Sequence, residues 1–322
     1  MSVRMWRKNG PMVSVEGRRG YFDVAYGQDS PSQKLDVFLP EGQGPFPAII
    51  SIHGGGYVAC DKRQKEMIEP MLAGLERGFA VIGLNYRLAG EVGFPEPVRD
   101  IKRAIRFIKA NAEEWGICPD RLAAWGGSAG GYMTLMGCLC AQDRYFDSET
   151  DPYREMDAGL AAGVAWYPQT DFLTADEELE TNCIIGRFLV SNRTDRDESE
   201  YEPAFPLTED SIFPFHNQED GVCTLFLGAN PGSGEEVVRT ASPIHHIHRN
   251  MPPLFIQHGS GDQILPMQQS VRFAMKANRV CGEERVRLQI LPGAIHSSVL
   301  FETEENINKV LDFIGAAVGN RR

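Results

Sequence analysis

Short apolar runs recur along this chain, each closed by turn-forming residues. "KLDVFLP" (34–40) alternates apolar and polar positions, and "PFPAIISIHGGG" (45–56) is a continuous apolar run ending in glycines. The pattern returns at "GFAVIGLNY" (78–86), "RLAAWGG" (121–127), "GLAAGVAWYP" (159–168), "PPLFIQHGSGD" (252–262) and "RVRLQILPGAIH" (285–296). Runs of this length bounded by Gly, Pro and Asp predict strands covered on both faces. Helical spacing lies between them. In "PVRDIKRAIRFIKANAEEWG" (97–116), Val98, Ile101, Ile105, Ile108 and Ala112 keep the three-and-four interval, with Arg and Lys elsewhere. Those basic residues are expected on a solvated face, and Asp100 as a surface or capping acid. "DKRQKEMIEPMLAGLERG" (61–78) and "ENINKVLDFIGAAV" (305–318) predict further helices, and the segment after "GGSAGG" is apolar nearly all round, as in a covered helix. Strands alternating with helices predict an α/β fold, a mostly parallel sheet with helices on both faces and functional loops at the carboxyl ends of the strands. The chain is expected to form a single domain over 1–322.

One stretch breaks the alternation. Residues 170–222 have weak periodicity and carry 14 Asp and Glu against three Arg. A polar segment of this length inside a compact domain predicts an insertion acting as a lid or cap. The whole chain, 322 residues with a net charge of −12, lacks the basic footprint of a nucleic-acid or anionic-membrane partner. No apolar run approaches the roughly 18 residues that span a bilayer. The opening "MSVRMWRKNGPMVSVEG" has basic residues with no apolar segment behind them, so no secretory signal is expected and the cytoplasm is the expected location. The seven cysteines show no C-x-x-C spacing, which predicts reduced thiols and no structural zinc.

The chemistry concentrates at "LAAWGGSAGGYM" (122–133). Gly126-Gly127-Ser128-Ala129-Gly130 fits G-x-S-x-G, and a predicted strand precedes it and a predicted helix follows. The plain reading is a tight strand-to-helix turn. The sharper one puts a nucleophilic hydroxyl on that turn, above the sheet edge and at the positive end of a helix. A hydroxyl needs a base, and the base needs an orienting acid. His296, in "LPGAIHSS", and Asp262, in "HGSGDQILP", both follow strands and stand in the chain order Ser, Asp, His. Three such loops on one sheet edge favour a Ser128–His296–Asp262 site over the plain turn. The glycine loop His53-Gly54-Gly55-Gly56 answers a separate need, since attack on a carbonyl creates an oxyanion that requires fixed N–H donors. The remaining donor is the N–H of Ala129.

"HGGGY", "NYRL", "FPEPVRDIKRAIRFI", "PDRLAAWGGSAGGYM" and "GSGDQILP" followed by "GAIH" resemble the α/β-hydrolase superfamily. Within it they are similar to the hormone-sensitive-lipase-like carboxylesterases, especially the feruloyl-esterase-like and acetylated-sugar esterases, over roughly residues 35–315. The resemblance implies Ser128 as nucleophile, His296 as general base and then acid, and Asp262 orienting the imidazole. It also implies N–H donation to the oxyanion from Gly55, Gly56 and Ala129, and an acyl pocket beneath a cap. The expected activity is cofactor-independent hydrolysis of short-acyl or aromatic esters of polar alcohols, such as acetylated or feruloylated sugars. A peptidase or amidase on the same fold, and a non-catalytic ligand-binding protein, are the rival expectations. The expected partner is a small-molecule ester, with a homo-oligomer open. Elsewhere, His53 is expected to hold its own loop by hydrogen bonds and His258 to be packed behind the acid loop. His245, His246 and His248 lack a carboxylate or cysteine at metal-site spacing, so no metal is expected. "GANPGSGEE" lacks the ending of a phosphate loop.

Overall fold

Among the described residues, eight strands join in one sheet in the order β1-β2-β4-β3-β5-β6-β7-β8. They are β1 (Gly20–Ala25), β2 (Lys34–Phe38), β3 (Phe46–Ile52), β4 (Ala80–Leu84), β5 (Ile117–Gly127), β6 (Ala162–Trp166), β7 (Leu254–Gly259) and β8 (Val286–Leu291). The pairs β1–β2 and β2–β4 are antiparallel, and every other pair is parallel. This is a computed structural model, and it describes residues 10–182 and 216–319.

The continuous apolar runs become strands buried along both faces, except β8, which forms the edge of the sheet and is buried only at Val286. Ala48, Ile50 and Ile52 of β3 enter one core with Ala80, Ile82 and Leu84 of β4. Their neighbours Ile49 and Val81 turn into the other, as the two-residue period of a strand requires. The first core is closed by α2 (Glu96–Ala110) and α4 (Ala129–Leu139), the second by α1 (Lys65–Leu72) and the helix Glu304–Gly319. A short helix, α3 (Ala112–Trp115), leads into β5. The edge strand β1 lies outside the runs that the apolar pattern picks out. Its register shifts between Tyr21 and Val24, where Asp23 takes φ 55, so the irregularity interrupts the alternation.

The basic side of α2 is not a solvated face. Lys102 and Arg106 pair with Asp147 at 2.7 and 2.8 Å, Arg106 also with Asp151 at 3.1 Å, and Arg103 with Asp29 at 2.7 Å. Asp100 is buried rather than exposed, with its carboxylate gripped by the Arg87 guanidinium at 2.7 and 2.9 Å and by Gln33 at 2.7 Å. Loops folded over the helix cover these groups, and long basic side chains look the same in sequence whether they meet water or a carboxylate.

Of the insertion at 170–222, residues 183–215 lie outside the described residues, and with them the lid or cap expected there. Among the described residues six cysteines are free, and no helix is long and apolar enough to cross a membrane.

Candidate active site

The strand β5 ends at Gly127 and α4 begins at Ala129, leaving Ser128 alone on the turn with φ 56 and ψ −122. For a residue with a Cβ that conformation costs on the order of 1–3 kcal/mol and persists only where the surroundings impose it. They do so through close backbone approach. A Cβ at Gly130 would stand 2.1 Å from the Ile52 carbonyl oxygen, and one at Gly126 would stand 2.5 Å from the Gly130 carbonyl. The Ser128 N–H donates to the Trp166 carbonyl of β6 at 3.0 Å, and its own carbonyl accepts from Tyr132 at 2.9 Å. Local sequence therefore makes the turn, and the neighbouring strands hold it.

Two loops from the far side of the sheet meet that hydroxyl. His296 Nε2 lies 3.0 Å from Ser128 Oγ, and His296 Nδ1 lies 2.8 Å from Asp262 Oδ2. A carboxylate can only accept, so Nδ1 carries the proton and Nε2 is left to accept from the serine. The other oxygen, Asp262 Oδ1, accepts from the Ile264 and Leu265 amides, each at 2.9 Å. Burial pushes the Asp262 carboxyl up, but the facing His296 and the hydrogen bonds from His258 and His296 hold it well below the ordinary range. The acid therefore remains ionised beside the imidazole. The Tyr167 ring stacks edge-on against His296 with centroids 4.6 Å apart.

The glycine loop packs directly on the turn. A Cβ at Gly54 would stand 2.9 Å from the Gly127 carbonyl oxygen and 3.6 Å from Ser128 Cβ. Gly55 and Gly56 take φ 102 and 59, and a Cβ on Gly55 would strike the Ala59 carbonyl oxygen at 2.4 Å. Among the described residues, the amides of Gly55, Gly56 and Ala129 donate to no protein carbonyl, as a set of N–H groups awaiting an anion would. His53 holds this loop from beneath. Its Nδ1–H donates to the Gly54 carbonyl at 2.9 Å, its ring stacks on Tyr86, and its carbonyl accepts from the Tyr86 hydroxyl at 3.1 Å.

The remaining histidines go elsewhere. His246 and His248 reach the carbonyls of Thr240 and Leu139, and among the described residues no group of His, Cys, Asp and Glu is arranged to hold a metal. His258 is packed behind the acid loop. Two further features had no signal in the sequence. His216, in the aperiodic insertion, sits 3.4 Å from the Cys223 thiol and bonds the Ile264 carbonyl at 2.8 Å. Behind the turn, Tyr57, Tyr132, Phe172 and Phe226 form one aromatic cluster, with Tyr57 and Phe226 stacked at 4.1 Å. These four rings come from four separate segments, so no single window of sequence reveals the cluster.

Comparison with known proteins places the chain among esterases by family and fold. "Probable carboxylic ester hydrolase LipM" of Mycobacterium tuberculosis is 27% identical over 295 residues, covering 87% of this chain and 59% of that protein. "Esterase LipQ" of the same organism is 26% identical over 306 residues, covering 93% and 63%. The chain thus spans about three fifths of the length of these curated relatives. Among solved structures, a "truncated form of carbohydrate esterase from gut microbiota" superposes with a TM-score of 0.77 at 21% identity, covering 96% of this chain and all of that one. The butyrate-bound Est2 esterase of Thermogutta terrifontis superposes with a TM-score of 0.65 at 21% identity, covering 94% and 95%. The shared architecture is the α/β-hydrolase fold. A family model matches residues 35–277, a span that runs from β2 into the helix after the acid loop and takes in both the glycine loop and the serine turn. On that match the chain belongs to the BD-FAE family.

Proposed function

We propose that this chain is a serine carboxylesterase that hydrolyses short-acyl or aromatic esters of polar alcohols through an acyl-enzyme. The observation that carries the reading is the hydrogen-bond chain from Ser128 Oγ through His296 to Asp262, built on the serine turn beside a glycine loop. Ser128 Oγ attacks the ester carbonyl as His296 Nε2 takes its proton. Asp262 holds the imidazole in the required tautomer and stabilises the imidazolium that forms. The developing oxyanion is received by the N–H groups of Gly55, Gly56 and Ala129. His296 then returns the proton to the departing alkoxide. Water repeats the sequence on the acyl-enzyme and releases the acid.

Membership of the BD-FAE family and the names of the mycobacterial relatives support an ester as the bond cleaved. The acidic insertion argues against an apolar lid for long-chain lipid and supports a polar alcohol, with acetylated or feruloylated sugars as the favoured class. The test is intact mass after exposure to a fluorophosphonate, alongside hydrolysis of p-nitrophenyl acetate, butyrate and decanoate. The expected result is one adduct on Ser128, rates that fall with chain length, and a loss of about a thousandfold or more in Ser128→Ala. Full activity in Ser128→Ala would overturn the mechanism. Faster cleavage of an aminoacyl p-nitroanilide than of the acetate would reassign the bond to an amide, and decanoate turned over as fast as acetate would reassign the acyl class.

A further inference from the structure

Asp262 serves two histidines. His296 approaches Oδ2 at 2.8 Å from the β8 side, and His258 Nε2 approaches the same oxygen at 3.4 Å from the end of β7. His258 is completely buried and both its ring nitrogens are engaged. Nε2 lies 2.8 Å from the Leu265 carbonyl oxygen, and Nδ1 lies 2.6 Å from Ser270 Oγ on the helix Gln268–Cys281. A carbonyl cannot donate, so the proton resides on Nε2 and the serine hydroxyl donates to Nδ1. The Nε2–H is therefore shared between the Leu265 carbonyl and the Asp262 carboxylate. Leu265 closes the circuit, because its own N–H donates to Asp262 Oδ1. The acid is held between the loop amides on one oxygen and two imidazoles on the other.

We propose that His258 is a positioning residue for the proposed ester hydrolysis, setting the proton affinity of His296 by sharing the negative charge of Asp262 Oδ2. The inference rests on the reading of Ser128, His296 and Asp262 as the reacting groups. Its physical basis is competition for one oxygen. Each N–H pointed at Oδ2 neutralises part of its charge, and whatever His258 takes is withdrawn from the imidazolium of His296. A basic site with less compensating charge protonates at lower pH. His258 thus keeps His296 neutral, and able to accept the serine proton, further into the acidic range.

The other groups around the pair act at longer range. His216 faces the acid loop from the described edge of the insertion, bonds the Ile264 carbonyl at 2.8 Å and feels the charges of both His296 and Asp262. Asp176 stands behind it and accepts its backbone N–H. Tyr167 meets His296 in an edge-to-face contact, and burial keeps its phenol neutral, with Glu302 beyond it.

Two conservative variants separate the proposal from simple loop support. A Gln at 258 carries its amide N–H out to where Nε2 stands, whereas an Asn reaches only as far as Nδ1, so both are polar but only one can meet Asp262. The measurement is the pH profile of kcat/KM for p-nitrophenyl acetate, together with an NMR titration of the His296 imidazole. In His258→Asn the acidic limb and the His296 titration are expected to move up by about half a pH unit. A fall of up to about threefold in kcat at pH 6 with little change in KM should accompany the shift. His258→Gln is expected to restore the limb to within about 0.2 unit of its original position. Identical limbs in both variants and the unaltered protein would overturn the proposal, as would a drop in kcat that is uniform across pH. The NMR titration keeps the two readings apart. An unaltered protein that hydrolyses no ester would sink the proposed function, while an unmoved His296 titration in an active His258→Asn would sink only the role of His258.

Discussion

The Tyr132 ring lies one helical turn after Ser128, wholly buried, and its hydroxyl finds no hydrogen-bond partner among the described residues. Burial holds the phenol far above its ordinary pKa, so it stays neutral. A buried hydroxyl without a partner forfeits about 1–3 kcal/mol of hydration with nothing in exchange. Tyr132→Phe keeps the ring and its edge-on contacts with Tyr57, Phe172 and Phe226. The expected outcome is a protein more stable by about 1 kcal/mol, read as a higher urea midpoint at unchanged slope. A lower midpoint would mean that the hydroxyl is satisfied in solution. At this scale Ser128 is legible in the sequence because its conformational demand is local, with small residues flanking it on both sides. Tyr132 is not, because whether its hydroxyl is paired depends on what three other segments bring to it.

At the scale of elements, α2 shows how periodicity can be right about a helix and silent about its surroundings. Val98, Ile101, Ile105 and Ile108 face the core as their spacing predicts. The opposite expectation, a basic face in water, fails because residues 143–157 and the Arg87 segment fold over it with their own charges. Asp100 accepts from the Arg87 amide as well as its guanidinium, so the helix and the loop after β4 are tied at one carboxylate. Removing one partner of a buried pair leaves the other charge without compensation, which costs about 3–5 kcal/mol. Asp100→Ala is therefore expected to lower stability by about 3 kcal/mol in urea titration. A loss below about 1 kcal/mol would show that water takes the place of the carboxylate.

For the whole molecule, buried histidines and paired carboxylates predict a two-stage response to acid. Burial lowers the pKa of His53 and His216, so the unfolded chain binds protons at these sites where the folded one does not. Their contribution is present above the unfolded value of about 6.5 and is lost as pH falls below it. The carboxylates are depressed as well. The hydrogen bond from Lys62 lowers Asp23, and although burial pushes Asp147 up, Lys102 and Arg106 hold it down. Their contribution is present above about pH 4 and is lost as pH falls further. The unfolding temperature is thus expected to decline gently from pH 6.5 to 4.5 and steeply below about 4. A flat profile down to pH 4.5 would mean that the two histidines carry no such linkage.

The sequence by itself determined the alternating α/β pattern, the covered strands, the serine turn and the identity of Ser128, Asp262 and His296 as the residues that meet. It could do so because strand burial, glycine turns and chain order are written within short windows, and parallel topology sends every strand's following loop to one edge. Only the tertiary structure decided the ion pairs over α2, the irregular edge strand, the aromatic cluster behind the turn, and the sharing of Asp262 between His296 and His258. Each of these depends on the angle and distance at which remote segments approach. Packing the whole chain sets those quantities, and no local pattern encodes them.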